Sequence, residues 1–345
     1  MSVKRINLAL QGGGAHGAFT WGVLDRLLLD EDIEIAAISG CSAGSLNGAA
    51  LKSGYVAGGR EGARARLAWL WGEVGARPEL KLQEWMTPFS LSDVSRAMEY
   101  SWPVMAADAW SRAVSPYALG PLYTNPLEPI VRQLDFDHVC AETGRAPELY
   151  VCATRVRNGK VRVFKDSEIS AEAILASACL PTVFQAVDVQ DEETGAIEAF
   201  WDGGYTGNPA LFPLFRKDLP RDIVIININP LERTELPRTT QQIQNRINEI
   251  SFNSSLLREL RAIEFVQRLL DQGKLQEPEK SRVLVHMISD DALMNQLSVA
   301  TKLFPTPYTL AKLKTAGQHA AERFLKGHKR DLNQRSTVDL VEMFG

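Results

Sequence analysis

The N-terminal 53 residues alternate two short apolar runs with two segments of helical character. Residues 5–10 (RINLAL) and 33–40 (IEIAAISG) are predicted to be strands, and each leads through a glycine-containing turn into a helix. The second helix is predicted at 43–53, and the first has apolar residues at helical spacing, namely Phe19, Val23, Leu24, Leu27 and Leu28. Because helical crossovers join parallel strands, the sequence predicts an α/β fold with a mainly parallel sheet.

Further strands and one long helix are predicted downstream. The strand candidates are residues 148–156, 160–164, 196–201, 222–230 and 281–288. The continuous apolar character of 222–227 is typical of a strand buried on both faces. Residues 239–272 predict a long helix with a break near 252–254. Its apolar stripe is expected to pack on the main body and consists of Ile243, Ile247, Ile250, Leu256, Leu257, Leu260, Ile263 and Val266.

Composition excludes several classes of protein. The chain has 345 residues, of which 45% are hydrophobic and 23% charged, so it is neither disordered nor collagen-like. With 38 basic and 42 acidic residues the net charge is −4, which argues against a nucleic-acid partner. Its apolar runs fall short of the roughly 18 residues that span a membrane. The N-terminus lacks signal-peptide features, so we expect the mature chain to start at Met1 and stay in the cytoplasm.

The cysteines and acidic clusters do not predict a metal or a disulfide framework. The cysteines, which are widely spaced, are Cys41, Cys140, Cys152 and Cys179. We expect reduced, partly buried thiols in a reducing compartment. Asp135, Asp137 and His138 form a cluster that a solvated loop explains as well as a metal does. We therefore expect no metal and no cofactor.

Residues 40–44, Gly-Cys-Ser-Ala-Gly, form a G-x-S-x-G pentapeptide between a predicted strand and a predicted helix. A sharp strand-to-helix turn exposes the serine hydroxyl, and Gly40 and Gly44 permit the close backbone approach that such a turn requires. The N-terminus of the following helix favours negative charge that develops at Ser42. Ser42 is therefore a candidate nucleophile, the alternative being a tight structural turn.

Residues 12–17, Gly-Gly-Gly-Ala-His-Gly, follow the first predicted strand and open its helix. Such a loop converges backbone amides on an anion. The loop also matches the dinucleotide-binding pattern G-x-G-x-x-G, but the second strand does not end in the acidic residue that would hold a ribose. Because the first two parallel strands are usually neighbours, the amides of Gly12, Gly13 and Gly14 are better candidates for an oxyanion hole beside Ser42.

A candidate base follows the strand predicted at 196–201. Asp202 stands at the carboxyl end of this strand, and Gly203 and Gly204 permit close approach to another loop. The alternative is an Asx-turn, the commoner fate of Asp-Gly. Histidines that follow Asp202, as the order Ser, Asp, His requires, are His286, His319 and His328. They lie in a predicted strand or a polar helical tail, so a structural or surface role is favoured for them.

Together these motifs resemble the patatin-like phospholipases, which carry a glycine-rich oxyanion loop, a G-x-S-x-G turn and a D-G-[GA] motif in this order. Residues 176–184 (ASACLPTVF) resemble a fourth motif, A-S-x-A-x-P-x-x-F. The resemblance covers about residues 5–210 and implies a three-layer α/β/α fold with a mainly parallel central sheet. We expect a catalytic domain at 1–230 and a mostly helical extension at 231–345, packed on it.

The resemblance implies a dyad of Ser42 and Asp202 without histidine, an oxyanion hole of Gly12, Gly13 and Gly14, and a lipid acyl ester as substrate. Supporting positions are Gly40, Gly44, Gly203, Gly204 and His16. His16 departs from the family, which usually has Arg or Lys there, so a positive charge beside the glycines becomes pH-dependent. Two alternatives stay open: a soluble carboxylesterase or thioesterase with the same dyad, and a non-enzymatic nucleotide- or lipid-binding module that uses the glycine loop.

Two segments bear on substrate and partners. Residues 83–124 are rich in aromatic residues and methionine, and they fit the lining of an acyl channel, a lid that meets lipid surfaces, or a satellite core equally well. Basic residues of the C-terminal helices offer either a transient contact with anionic lipid head groups or a solvated face. They are Lys312, Lys314, Arg323, Lys326, Lys329 and Arg330. The sequence leaves the oligomeric state undetermined, although Leu340, Val341 and Phe344 would fit a neighbouring surface.

Overall fold

The computed structural model describes residues 3–75, 90–140, 144, 146–233, 235–275 and 282–344. In this part of the chain the strands form a single eight-stranded sheet. The strands are β1 (Lys4–Leu10), β2 (Ile33–Cys41), β3 (Glu148–Arg155), β4 (Val161–Lys165), β5 (Val187–Asp191), β6 (Ala196–Asp202), β7 (Asp222–Ile226) and β8 (Leu284–Ile288). The strand order is β5-β6-β3-β2-β1-β7-β8, with β4 paired to β3.

The sheet is parallel from β3 through β2, β1 and β7 to β8, whereas β4 and β6 run antiparallel to β3. This confirms the predicted α/β class and the mainly parallel sheet. The edge strand β5 was not predicted because its sequence, VDVQD, alternates with acidic and amide residues and has little apolar character. The strand predicted at 222–230 was too long, since β7 ends at Ile226 and Asn227 begins the loop.

The helices of the described residues are α1 (Gly17–Leu28), α2 (Ala43–Val74), α3 (Leu91–Glu99), α4 (Trp102–Ala113), α5 (Glu128–Val131), α6 (Phe136–Val139), α7 (Ala171–Ser177), α8 (Thr240–Asp271), α9 (Asp291–Met294), α10 (Val299–Leu303), α11 (Pro307–His328) and α12 (Leu340–Phe344). The helix predicted at 43–53 was too short, because α2 continues to Val74 past non-helical backbone at Gly58 and Gly59. Short 3-10 helices lie at Gly14–His16, Pro116–Leu122, Asp166–Glu168, Gly203–Tyr205 and Phe212–Phe215.

Alternate side chains of the central strands enter two separate hydrophobic cores. Leu8 and Leu10 of β1 face a core that contains residues of α1, α2 and α11, whereas Ala9 faces one built with α8. Both faces of the sheet are therefore covered by helices, as the uninterrupted apolar character of its parallel strands requires. This is the three-layer α/β/α arrangement that the resemblance implies.

The predicted break in the long helix is wrong, because α8 is continuous through residues 252–254. Polar side chains there find partners without a break: the Asn253 amide donates to the carbonyls of Asn229 at 3.3 Å and Pro230 at 3.0 Å. The apolar stripe of this helix is only partly buried. Leu256, Leu260 and Ile263 lie in the core, whereas Ile243, Ile247 and Ile250 are 43–55% exposed.

Residues after 230 contribute to the same sheet and to its helical cover. Strand β8 pairs in parallel with β7, and α11 packs on α1. The division of the chain at residue 230 stays a prediction. Within the aromatic-rich segment 83–124, residues 83–89 lie outside the described residues, and the rest contains α3, α4 and the 3-10 helix at Pro116–Leu122. Among the described helices, none is both long and apolar enough to cross a membrane.

The packing of α11 on α1 can be tested, because the two helices approach each other closely at two glycines. A Cβ on Gly22 would lie 1.9 Å from the carbonyl oxygen of Lys314, and one on Gly317 would lie 2.0 Å from that of Phe19. Gly22→Ala or Gly317→Ala should therefore force the helices apart and cost about 2 kcal/mol or more. We expect a lower melting temperature by differential scanning calorimetry.

Gly327→Ala, in the same helix α11, is the matched control because a Cβ there meets nothing within 4 Å. This substitution should leave stability unchanged or raise it by up to about 1 kcal/mol, since alanine restricts the unfolded chain. If Gly317→Ala proved as stable as Gly327→Ala, the packing of α11 on α1 would be wrong.

Candidate active site

The turn between β2 and α2 holds Ser42 in an unusual backbone conformation. Its φ of 52° and ψ of −123° are rare for a residue with a side chain, as expected for a strained strand-to-helix turn. Gly44 is required here, because a Cβ on it would lie 2.1 Å from the carbonyl oxygen of Leu10. The side chain of Ser42 is 7% exposed and lines a cavity. The sequence-predicted nucleophile thus stands at the carboxyl edge of the sheet, at the start of a helix.

The glycine loop after β1 lies directly beside Ser42. A Cβ on Gly12 would fall 2.6 Å from the Cβ of Ser42, so the loop packs as closely as glycine permits. The Gly12 N–H donates to Asn208 Oδ1 at 2.7 Å, so this amide is not free to bind a ligand. Within the described part of the chain, the N–H groups of Gly13 and Gly14 have no acceptor. These two amides are therefore the ones free to bind a ligand oxygen.

Asp202 ends β6 and is fully buried. Because β6 pairs with β3 and β3 pairs with β2, the sheet carries this carboxyl group to the Ser42 turn. The Asx-turn anticipated as the alternative is also formed, since Gly204 N–H donates to Asp202 Oδ1 at 2.8 Å. Cys41 Sγ lies 3.5 Å from the same oxygen. Among the described residues, Oδ2 has no hydrogen-bond partner, so one oxygen is fixed and the other is available.

Burial raises the pKa of Asp202 to about 6, although the Gly204 N–H and the neighbouring Ser42 and Cys41 side chains lower it in part. A buried carboxylate loses hydration, which disfavours its charged form. The group is still mostly ionised at pH 7, yet it is a much stronger base than an ordinary aspartate. Its pKa therefore suits proton transfer near neutral pH.

Residues 176–184 hold the backbone of both candidate catalytic residues. Ser177 Oγ accepts the Ser42 N–H at 3.0 Å and donates to the Cys152 carbonyl at 2.6 Å. The Cys179 carbonyl accepts the Asp202 N–H at 2.7 Å. These contacts give the fourth sequence motif a structural role that its pattern alone did not reveal.

Two adjoining cavities surround this site. The site cavity, of about 430 Å³, is lined by Gly13, Gly14, Ser42, Leu180, Thr182, Val183, Asp202, Tyr205, Asn229, Gln244, Asn245, Asn248, Phe252, Val299, Lys302 and Leu303. The apolar chamber, of about 650 Å³, is lined by Glu99, Val104, Met105, Ala109, Trp110, Val114, Ser115, Pro116, Pro126, Thr182, Val183, Phe184, Val299, Ala300, Leu303 and Phe304. They share Thr182, Val183, Val299 and Leu303, so the chamber adjoins the cavity that contains Ser42.

His16 does not provide the pH-dependent charge that its position in the glycine loop predicted. The ring is 2% exposed, and burial followed by the charge of Lys302 holds its pKa well below the usual value. His16 Nε2 lies 2.8 Å from Thr301 Oγ1, which itself donates to the Ser298 carbonyl, so the imidazole donates here. The side chain is neutral near pH 7 because it cannot be hydrated.

The other histidines lie away from the site cavity. His286, buried in β8, lies 3.0 Å from Asp222 Oδ1 and 3.1 Å from Thr337 Oγ1. His319 and His328 are exposed on α11.

Burial raises the pKa of the Cys41 thiol well above its usual value, which makes it a poor nucleophile. Over the residues described, no three His, Cys, Asp or Glu side chains are grouped to hold a metal ion.

Residues that the sequence-based predictions missed also shape the site. Asn208 orients Gly12, and Asn229 donates to the Gly12 carbonyl at 2.8 Å. Lys302 Nζ donates to Asn229 Oδ1 at 2.8 Å. Asn208 follows the Asp-Gly-Gly motif closely and was available to sequence reasoning, whereas Asn229 and Lys302 stand in no motif.

Known proteins include similar solved structures and a matching family model. The similar structures include VipD from Legionella pneumophila (15% identity, 94% of this chain and 67% of that one, TM-score 0.41) and the ExoU–SpcU complex from the type III secretion system of Pseudomonas aeruginosa (16%, 96% and 52%, TM-score 0.36). The chain thus spans about two thirds and half of their lengths. No curated protein matches it. The family model described as patatin-like phospholipase matches residues 8–215, more than half of the chain. The chain belongs to the patatin-like phospholipase family.

Proposed function

We propose that the protein is a serine acyl hydrolase that cleaves lipid acyl esters, with Ser42 as nucleophile and Asp202 as general base. The observation that carries the proposal is the meeting of three features at one cavity. These are a strained serine at a helix start, a buried carboxyl group with one unpartnered oxygen, and two free glycine amides. Family membership supports hydrolysis of a lipid ester.

In the proposed reaction the Ser42 hydroxyl attacks the ester carbonyl carbon while its proton passes to Asp202 Oδ2. The resulting oxyanion accepts hydrogen bonds from the Gly13 and Gly14 N–H groups, since Gly12 is held by Asn208. Asp202 returns the proton to the leaving alcohol, and the acyl group remains on Ser42. Asp202 then deprotonates a water molecule, which attacks the acyl carbonyl and releases the acid. The proton finally returns to Ser42.

The apolar chamber supports a long acyl chain as part of the substrate. It adjoins the site cavity at the shared lining, and α4 supplies Val104, Met105, Ala109 and Trp110 to its wall. Trp102 and Trp110 of this helix are 81% and 59% exposed, which favours a lid that meets a lipid surface. The basic residues of α11 and of the turn after it favour a solvated face instead, because Lys326 pairs with Glu322 and Lys329 pairs with Asp30.

A soluble carboxylesterase or thioesterase with the same dyad is the second candidate. It would use the site cavity, which holds a small ester without the chamber. Comparison of phospholipid vesicles with short p-nitrophenyl esters separates the two activities. A non-enzymatic binding module, by contrast, would not form a covalent adduct with a fluorophosphonate.

The first prediction concerns the dyad. Ser42→Ala and Asp202→Asn should each lower kcat by about 10³-fold or more, because they remove the nucleophile and the base. Fluorophosphonate labelling, followed by intact-protein mass spectrometry, should give one adduct in the wild type and none in Ser42→Ala. His319→Ala and His328→Ala are the controls and should retain activity. An inactive but folded His319→Ala protein would restore a conventional triad with histidine.

The second prediction concerns pH. A base must be deprotonated to act, and the pKa of Asp202 is raised to about 6. Activity should therefore be present above pH 7 and fall as the pH drops through 6, by about tenfold per unit below it. The measurement is kcat/KM for a neutral ester between pH 4.5 and 8. A profile flat down to pH 4.5 would contradict a buried aspartate as the base.

The third prediction concerns chain length. Ala109→Trp places a large ring in the apolar chamber and should lower kcat/KM for dodecanoyl esters about tenfold relative to butanoyl esters. Ala106→Trp makes the same substitution on α4 at an exposed position outside the chamber lining. It should leave the ratio of dodecanoyl to butanoyl hydrolysis unchanged. Equal effects of the two variants would mean that acyl chains bind elsewhere.

A further inference from the structure

Lys302 of α10 lies against the glycine loop through both its backbone and its side chain. A Cβ on Gly14 would fall 2.4 Å from the Lys302 carbonyl oxygen. Lys302 Nζ donates to Asn229 Oδ1, and a Cβ on Gly13 would fall 3.6 Å from that same oxygen. The backbone of Lys302 thus packs on Gly14, and its ammonium group is linked through Asn229 to the surroundings of Gly13, on the wall of the site cavity.

This ammonium group has hydrogen-bonding capacity to spare. An ammonium carries three donors, and the contact with Asn229 uses one. Within the described residues no carboxylate lies within ion-pair distance of Nζ. The nearby Glu249 is engaged by Arg233 and Arg246. Burial lowers the pKa of Lys302 to about 8, and Glu249 opposes this shift, so the side chain is still mostly charged at pH 7.

An unpartnered amide lines the same cavity. Asn245 of α8 is 8% exposed, and its Oδ1 has no hydrogen-bond partner in the part of the chain described. Leaving a buried polar atom unpaired costs free energy, and no hydrogen bond of this oxygen fixes which end of the amide faces the cavity. The two ends of an asparagine amide are interchangeable by rotation, so Asn245 can present either its oxygen or its N–H₂ group to that ligand. Gln244 and Asn248 add further amides to this wall.

The polar wall, formed by Lys302, Asn245, Gln244 and Asn248, and the apolar chamber lie in different parts of the site. Lys302 and Asn245 line the site cavity but not the chamber. The residues that line both spaces are mostly apolar. An ester at Ser42 that extends its acyl chain into the chamber would thus present its alcohol portion to the polar wall. A free ammonium with amide groups in a partly closed pocket selects for negative charge.

We propose that Lys302 and Asn245 bind an anionic group, a phosphate or a carboxylate, on the alcohol portion of the ester. This inference rests on the proposed function and narrows its substrate class to anionic acyl esters. Lys302 would supply the positive charge that the neutral His16 does not supply in the glycine loop.

Two matched pairs of soluble esters test the inference. The phosphate pair is dihexanoylphosphatidylglycerol and dihexanoylglycerol, and the carboxylate pair is hexanoyloxyacetate and hexanoyloxyacetamide. The wild type should prefer the anionic member of at least one pair. In Lys302→Met, the ratio of kcat/KM for that anionic ester to its neutral partner should fall at least about tenfold, and Lys302→Arg should restore most of it. Asn245→Leu should lower the same ratio by a smaller factor.

Lys326→Met is the matched control, because it removes the same charge from an exposed position on α11 outside the cavity. It should leave both ratios unchanged. A preference confined to the phosphate pair assigns the site to a lipid headgroup, and one confined to the carboxylate pair assigns it to a carboxylated alcohol. If Lys302→Met lowers hydrolysis of both members of each pair equally, or leaves the ratios unchanged, the inference is wrong.

A measurement on the wild type keeps the inference falsifiable should Lys302→Met fail to fold. Glycerophosphoglycerol and glycolate are the deacylated alcohols of the two anionic esters, and one of them should inhibit p-nitrophenyl butyrate hydrolysis competitively, whereas glycerol should not. Absence of inhibition by both anions would overturn the inference. Failure of the proposed function has a different signature, namely hydrolysis that persists in Ser42→Ala.

Discussion

The buried carboxyl group of Asp202 is the constraint on which the rest of the site depends. It is fully buried at the end of β6, where its Oδ1 accepts hydrogen bonds from the Gly204 N–H and the Cys41 thiol and its Oδ2 has no partner among the described residues. A pKa raised from 3.8 to about 6 means that ionising this group costs the folded protein roughly 3 kcal/mol. The cost disappears only as the pH falls towards 4. Other contacts of the fold must therefore offset the cost of burying the Asp202 carboxylate. The same poor solvation makes this group a useful base.

Those contacts come from a short segment and from the order of the strands. Pairing of β6 with β3 and of β3 with β2 fixes the distance between Ser42 and Asp202, which are 160 residues apart in sequence. Ser177 and Cys179 then tie the backbones of Ser42 and Asp202 to one loop. Because both backbones are anchored through the same few residues, the relative positions of the Ser42 turn and the Asp202 carboxyl group are fixed.

The Ser42 turn and the glycine loop were predictable because each depends on residues that are neighbours in the sequence. A serine between glycines after an apolar strand specifies its own turn, and a glycine-rich loop specifies its own close approach. The rest depends on distant residues. Strand β5 has too little apolar character to be recognised, and the exposure of Ile243 and Ile247 depends on what α8 packs against. Lys302 belongs to no pattern, since only the folded chain brings it to the glycine loop.

The relation between His16 and Lys302 ties the C-terminal residues to the chemistry of the N-terminal motifs. Burial, followed by the charge of Lys302, holds the pKa of His16 well below its usual value. Lys302 in turn is held in place by Asn229, which also binds the carbonyl of Gly12. The charge near the amides is thereby carried by α10 instead of the loop itself. A chain cut near residue 230 would keep every recognised motif and lose the Lys302 ammonium group that lines the site cavity.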